Sequence, residues 1–329
     1  MGTITGTGIA VDGVTMIELP TAFPVGPVNV YLIEADKLTL VDTGPDGEDT
    51  WRLLNQALAE HGYSIHDIEQ IVLTHHHVDH VGMLQRILQV RPVPVYGHPS
   101  CRPWLRQEEA FRQRQRDFVL SFYRESGVPE DLWGYFPRFQ AYIEKFIGKS
   151  DITAPLQDGE PVPGMPEWTV LETKGHAQSH IVLFRQRDGV LLAGDHIIQH
   201  ISSNAVVEVP AEPGEERAKP LLQYRENLRK CADLPVSVAL SGHGKPVTDV
   251  PALVDLRLAK MDERAAKIKR LLAAGATTAF EVARAMFPDK YEQELTLTLS
   301  EVVGHLDLLL ARGEIVQERY GEIVHYRPV

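Results

Sequence analysis

The stretch IVLTHHHVDHVGML, Ile71 to Leu84, puts four histidines and an aspartate into six residues directly after an apolar run. A packed strand cannot hide five such side chains without partners for their ring nitrogens and carboxylate, because a buried polar group left unpaired has lost its hydration for nothing. In the pattern H-x-H-x-D-H, His75 and His77 point the same way at the end of a strand. Asp79 and His80 follow where the chain turns into the helix read over VGMLQRILQV, so one turn offers ligands to two neighbouring ions. A catalytic metal takes three protein ligands and a water, so two imidazoles are not enough. The missing donors are His176 in TKGHAQSH, Asp195 in LLAGDH and His243 in ALSGHG, each behind a β-like run and beside a glycine that lets the backbone turn. By strand alternation His76, between two ligands, is expected to face solvent. His180, His196 and His200 are read as loop or supporting histidines near the metals.

Around this stretch, 329 residues with 43% hydrophobic and 24% charged side chains can bury a large core and carry one big domain plus a smaller one. A formal net charge of -12 opposes wholesale binding to nucleic acid or to an anionic membrane. Cys101 and Cys231, the two cysteines, are too few for a disulfide framework, and they read as small buried hydrophobes. The start MGTITGTGIAVDGVTMIEL lacks a basic segment followed by an apolar one, and no run of about 18 apolar residues occurs, so a cytoplasmic location is expected.

The texture changes twice along the chain. Short Val/Ile/Thr-rich runs broken by Gly, Pro and Asp (GVTMIEL, VNVYLIEA, KLTLVDTG, IEQIVLTH, and later EWTVLETKG and VSVALSGHG) predict strands joined by turns. Between them, residues 103–148 are helical in period and rich in aromatics, a helical insert whose side chains form its own core and line a pocket over the metals. From about residue 250, three amphipathic stretches precede EIVQERYGEIVHYRPV, whose Tyr320-Gly321 predicts a hairpin turn. Residues 1–250 and 251–329 are accordingly expected to be separate domains, the second winged-helix-like. EVPAEPGEERAKP, Glu208 to Pro220, reads as a flexible loop.

Asp42 in LTLVDTG, the run from His75 to His80, then His176, the Gly-Asp of Asp195 and the Gly-His of His243 occur in an order that resembles the metallo-β-lactamase-fold hydrolase superfamily, over residues 10 to 250 or so. The resemblance implies an α/β (α+β) chain folded as a four-layer αβ/βα sandwich. It implies one metal on His75, His77 and His176, a second on Asp79, His80 and His243, Asp195 bridging the two, and Asp42 orienting ligands from behind. The cofactor expected is two divalent ions, zinc foremost, with iron and manganese also compatible with His/Asp donors. Gly82-Met83 and Thr173-Lys174-Gly175-His176 depart from the Gly-Gly and T-P-G-H found in the glutathione-thioester and homoserine-lactone hydrolases, and Ile197-Ile198 stand where some lactonases carry Tyr.

Two cations sharing a carboxylate and a water bring that water's pKa from about 15.7 towards 7, which supplies hydroxide at neutral pH without a serine or cysteine nucleophile. Asp79 is placed to return a proton to the leaving group and Asp195 to hold the pair of ions, the two residues to which catalysis is assigned. The chain has no G-x-S-x-G and no G-x-x-x-x-G-K-[ST] motif. The reading is a metal-dependent hydrolase of an ester, thioester or lactone in a small acyl substrate. A phosphodiesterase of the same fold acting on RNA, and a winged-helix DNA-binding regulator with a vestigial site, are the alternatives. The segment ELTLTLSEVVGHLDLLLARG, which would enter a nucleic-acid groove, carries Glu294, Glu301 and Asp307 against Arg312, so the C-terminal unit is read as a packing or dimerisation element.

Overall fold

Glycine and proline punctuate the first hundred residues so closely that only short β-branched runs fit between them, and these runs become strands. The computed structural model describes residues 10–329. The expectation about the extreme N-terminus rests partly on residues outside that range.

In chain order come β1 (Val14–Leu19), β2 (Val28–Glu34), β3 (Leu38–Val41), α1 (Glu48–Glu60), β4 (Gln70–Val72), α2 (Val78–Val81), α3 (Leu84–Val90) and β5 (Val95–Gly97). The inserted helices are α4 (Arg102–Arg106), α5 (Glu109–Glu125) and α6 (Tyr135–Ile143). Then follow β6 (Ala154–Pro155), β7 (Pro161–Val162), β8 (Met165–Glu172), β9 (Ile181–Arg185), β10 (Val190–Gly194), α7 (Pro220–Ala232) and β11 (Val238–Ser241). The chain ends with α8 (Val250–Ala273), α9 (Ala279–Met286), α10 (Leu295–Ala311) and the hairpin β12 (Ile315–Tyr320) and β13 (Ile323–Pro328). One sheet runs β1-β2-β3-β4-β5-β6, the other β11-β10-β9-β8-β7.

Three cores give four layers. Side chains alternate along each strand, so Ile17, Val30, Leu32, Leu40 and Ile71 face Leu54, Leu58, Leu84 and Ile87 of α1 and α3. Their neighbours Met16, Tyr31, Ile33, Val41 and Val72 meet Trp168, Val170, Ile181, Leu183, Leu192 and Leu240 between the sheets. The outer face of the second sheet, Val182, Phe184, Leu191 and Ala239, packs against α7, α8, α10 and α5. This is the expected αβ/βα arrangement.

The expected three helices and hairpin are present, and α10 is packed inside rather than presented to a groove, in line with the packing role read from its acidic residues. Leu295, Leu299, Val302, Leu306 and Leu309 are buried, and so are the polar Thr298, Ser300, His305 and Asp307. The stretch is apolar almost all round, which places a helix inside rather than on a surface. Gly304 lets α10 approach α7 closely, since a Cβ there would lie 2.9 Å from Leu221 Cβ. The aromatics of the insert are also divided differently: Phe122 and Tyr123 leave the insert to pack in the core shared with α7, α8 and α10. Tyr123 Oη lies 2.6 Å from Thr296 Oγ1 at the start of α10. Cys101 and Cys231 are buried and free.

Candidate metal centre

Asp42 and five of the seven expected ligands lie just beyond the C-terminal end of a strand, where chain direction changes and backbone geometry is least constrained by the ladder. Asp42 follows β3, His75 and His77 follow β4, His176 follows β8, Asp195 follows β10 and His243 follows β11. Asp79 and His80 sit in the four-residue helix α2, separate from α3. The second sheet is tied to the first across this edge. Asn29 N donates to Gly242 O at 2.7 Å, Tyr31 Oη to Ser241 O at 2.6 Å, and Val28 bridges His243. Only glycine fits at 242, because a Cβ there would run into Asp195 Oδ1 and the His80 ring.

His75, His77 and His176 bring ring nitrogens within 4.8 Å of one another, and Asp79, His80 and His243 form a second such group. Asp195 stands between them. Its Oδ1 is 3.2 Å from His80 Nε2, and its Oδ2 is 3.5 Å from both His176 Nε2 and His243 Nε2. Asp79 Oδ2 is 3.3 Å from His243 Nε2.

The rings are held from behind. His75 Nδ1 meets Thr74 Oγ1 at 3.0 Å, His80 Nδ1 meets Asp42 Oδ2 at 2.8 Å, His176 Nδ1 donates to Asn204 O at 2.8 Å, and His243 Nδ1 donates to Pro27 O at 2.7 Å. Asp42 also accepts from Thr74 N at 2.8 Å and Thr74 Oγ1 at 2.7 Å, from a left-handed backbone with φ 60. With each Nδ1 occupied, Nε2 is aimed inward. The Nε2 atoms of His75, His80, His176 and His243 and Oδ1 of Asp195 are buried without a hydrogen-bond partner. Each such atom would cost about 1–3 kcal/mol unsatisfied, and five converging donors of this chemistry fit divalent cations.

Charge tells the same story. Burial, reinforced by neighbouring imidazoles, pushes His75 and His77 well below the usual histidine range and lowers His176, so these three rings are neutral, the form in which imidazole can bind a metal. Burial is the largest single influence on His80 and His243 and opposes their charged form, but the surrounding carboxylates together outweigh it, Asp195 foremost, with Asp42 and Asp79 at His80 and Asp79 at His243; His80 lies well above the ordinary range and His243 is pushed up to about 10. Burial works against the charged form of Asp195, yet His80 and His243 hold its carboxyl well below the usual value. The carboxylates draw positive charge into this spot, and divalent ions would displace those protons.

His76 corrects the sequence expectation. It is buried, with Nδ1 2.7 Å from Ser179 Oγ and its ring stacked 4.1 Å from Trp104. The triplet lies beyond β4 rather than in it, so strand alternation does not apply and α4 from the insert covers the ring. His180 supports the site: its Nε2 accepts from Asp195 N at 3.1 Å while Nδ1 meets Thr173 Oγ1 at 2.8 Å.

Glu208, expected from the sequence at the edge of a flexible loop, is instead held in the interior. It is buried, accepts from Gln178 N at 3.2 Å and lies 3.8 Å from His76 Nε2. Its carboxylate lies within reach of the His76 and His77 ring nitrogens, and burial pushes its carboxyl up to about 8. The one sequence signal for it is a single acid inside the apolar run AVVEV. The loop that follows is pinned, with Arg114 donating to Pro210 O and Ala211 O and Arg217 paired to both oxygens of Asp307.

Comparison with known proteins agrees with this geometry. The family model described as Metallo-beta-lactamase superfamily matches residues 23–243. The chain is 39% identical to the probable metallo-hydrolase YqjP of Bacillus subtilis, over 96% of this chain and 98% of that protein. It is 24% identical to the atrochrysone carboxyl ACP thioesterase of Aspergillus fumigatus, over 92% of this chain and 60% of that one. A solved structure of a metallo-beta-lactamase family protein from Thermus thermophilus, TTHA1429, superimposes with a TM-score of 0.81 at 27% identity, covering 97% of this chain and 99% of that one. Two convergent donor groups at one edge of an αβ/βα sandwich, and a family match that spans them, place this chain in the Metallo-beta-lactamase superfamily.

Proposed function

We propose that this metal-dependent hydrolase cleaves an ester, thioester or lactone bond of a small acyl substrate, using two divalent ions, zinc foremost. The observation that carries the reading is Asp195 set between two complete donor groups, within 3.2 to 3.5 Å of His80, His176 and His243. Bound there, two divalent cations would polarise a carbonyl oxygen and activate water near neutral pH. His75, His77 and His176 would hold one ion, Asp79, His80 and His243 the other, with Asp195 shared. In the reaction the water oxygen bonds to the acyl carbon, the C–O or C–S bond breaks, and the departing atom takes a proton. Asp79, whose Oδ2 lies 3.3 Å from His243 Nε2, relays that proton.

Aromatic side chains from the insert, together with Phe23, support an apolar acyl group. Trp104 stacks on His76 and meets Phe111 at 5.2 Å, beside the first donor group. Phe23, Tyr142 and Phe146 cluster with ring centroids 5.2 to 6.3 Å apart. Phe23 precedes the Pro27 that holds His243, and Phe146 O accepts from Asp46 N beside Gly82, two residues after His80. The relative named as a thioesterase favours the same bond class. Against the nuclease reading, the helix nominated for a groove is internal.

The test is kcat/KM on a chain-length series of acyl thioesters, esters and lactones at low and high salt, beside single-stranded RNA. Each methylene buried is worth about 0.8 kcal/mol, so kcat/KM should climb about fourfold per methylene until the pocket is full, with little salt dependence. Negligible acyl turnover with RNA cleavage that weakens steeply in salt would replace this reading by the phosphodiesterase one.

A further inference from the structure

We propose that α10 is a working part of the metal centre: through Asn204 it positions His176, so that the C-terminal helices help set the affinity of one of the two ions. The inference rests on His176 being a ligand and adds a residue that neither the ligand pattern nor the family match identifies. The segment after Asp195 carries no helix or strand until α7, so something other than a ladder must hold Asn204 O where it meets His176 Nδ1 at 2.8 Å. The structure shows what does. Asn204 Nδ2 donates to Leu297 O in the first turn of α10 at 3.1 Å, and Val207 N donates to Ser300 Oγ one turn further along at 3.1 Å. Val206 N reaches back to His176 O at 3.4 Å, which closes the segment against the ligand's own backbone.

Farther out, Arg217 forms a two-pronged pair with Asp307 at 2.7 and 2.8 Å. Leu297 O, Ser300 and Asp307 all face this one segment, which accounts for a buried serine and a buried aspartate in a helix rich in leucine and valine. Partners that fix a ligand imidazole from behind tune metal affinity by 10 to 100-fold in general. Asn204 acts through its carbonyl, and α10 acts through Asn204. It is a positioning residue.

The experiment titrates cobalt(II) into the metal-depleted full chain, reading the visible spectrum and chelator competition for each ion, in the parent and in Asn204→Ala, Ser300→Ala, His176→Ala and the double variant His176→Ala with Asn204→Ala. Asn204→Ala keeps the carbonyl but releases its anchor, so one ion should bind about tenfold more weakly with an altered spectrum. The other ion should be untouched, and the metal-free protein should melt close to the parent. In the double variant the two changes should not add, because both act at one site. Should Asn204→Ala fail to fold, Ser300→Ala carries the same test from the helix side. Unchanged affinities, equal weakening of both ions, or additivity with His176→Ala would overturn the proposal. A parent that binds no more than one ion would instead overturn the two-ion reading beneath it.

Discussion

His180 Nε2 accepts the backbone N–H of Asp195 at 3.1 Å, so a histidine outside both donor groups holds the carboxylate that stands between them. Burial together with His196 and His176 keeps this ring well below the usual histidine range, and only the neutral ring can accept at Nε2. Replacing His180 with Ala leaves a buried N–H unpaired and frees Asp195 to shift. We expect a loss of kcat/KM of at least tenfold, about 1.4 kcal/mol. His200, whose Nε2 reaches only Val25 O at 3.4 Å, serves as the comparison; His200→Ala should stay close to the parent. Steady-state kinetics on the best substrate of the acyl series checks both.

Metal content offers a second check. Two donor groups predict about two ions per chain by elemental analysis of the purified protein. Asp195→Ala should lower both content and activity most severely, because it touches both groups. His76→Ala should lose stability rather than metal, since it removes a ring stacked on Trp104 and bonded to Ser179. The expected cost is about 2–4 kcal/mol in denaturant unfolding.

Glu208 sets a pH dependence. Burial raises its carboxyl from 4.5 to about 8, so the folded state keeps a proton that the unfolded chain releases. Stability from this group is therefore full below pH 4.5, falls as pH rises, and levels off above about 8. Glu208→Gln keeps an acceptor for Gln178 N and removes the titration. Its unfolding free energy should be flatter than the parent's across that window, which chemical denaturation at several pH values measures directly.

Gly304 tests the packing of α10. In an exposed helix, glycine to alanine stabilises by about 1 kcal/mol. Here the new methyl group would meet Leu221 Cβ at 2.9 Å between two buried helices. We expect Gly304→Ala to destabilise by about 1–3 kcal/mol instead, read as a lowered midpoint in urea.

The chemistry of the site was legible because it is written in residue types. No common structural role needs H-x-H-x-D-H followed by isolated His, Asp and His beside glycines at strand ends, and the strands themselves announce their period. What His76 does was not legible, since its burial depends on Trp104, contributed by an inserted helix from another part of the chain. The same holds for Glu208, one acid in an apolar run, whose meaning comes from Gln178 and His76 reaching it.

The C-terminal helices mark the boundary most clearly. Their amphipathic pattern and hairpin turn follow from local propensity and periodicity, which the sequence alone determined, and the ordered run of Asp and His residues carried the resemblance that implied the four-layer sandwich. Which face of α10 would be covered was decided only by tertiary structure. Leu221 of α7, Asn204 and Arg217 approach it from residues about 80 to 90 positions away, and contacts at such separation leave no trace in local pattern. Burial of a face is a property of what packs on it, so the sequence could assign this helix a packing role but not name Leu221, Asn204 and Arg217 as what it packs against.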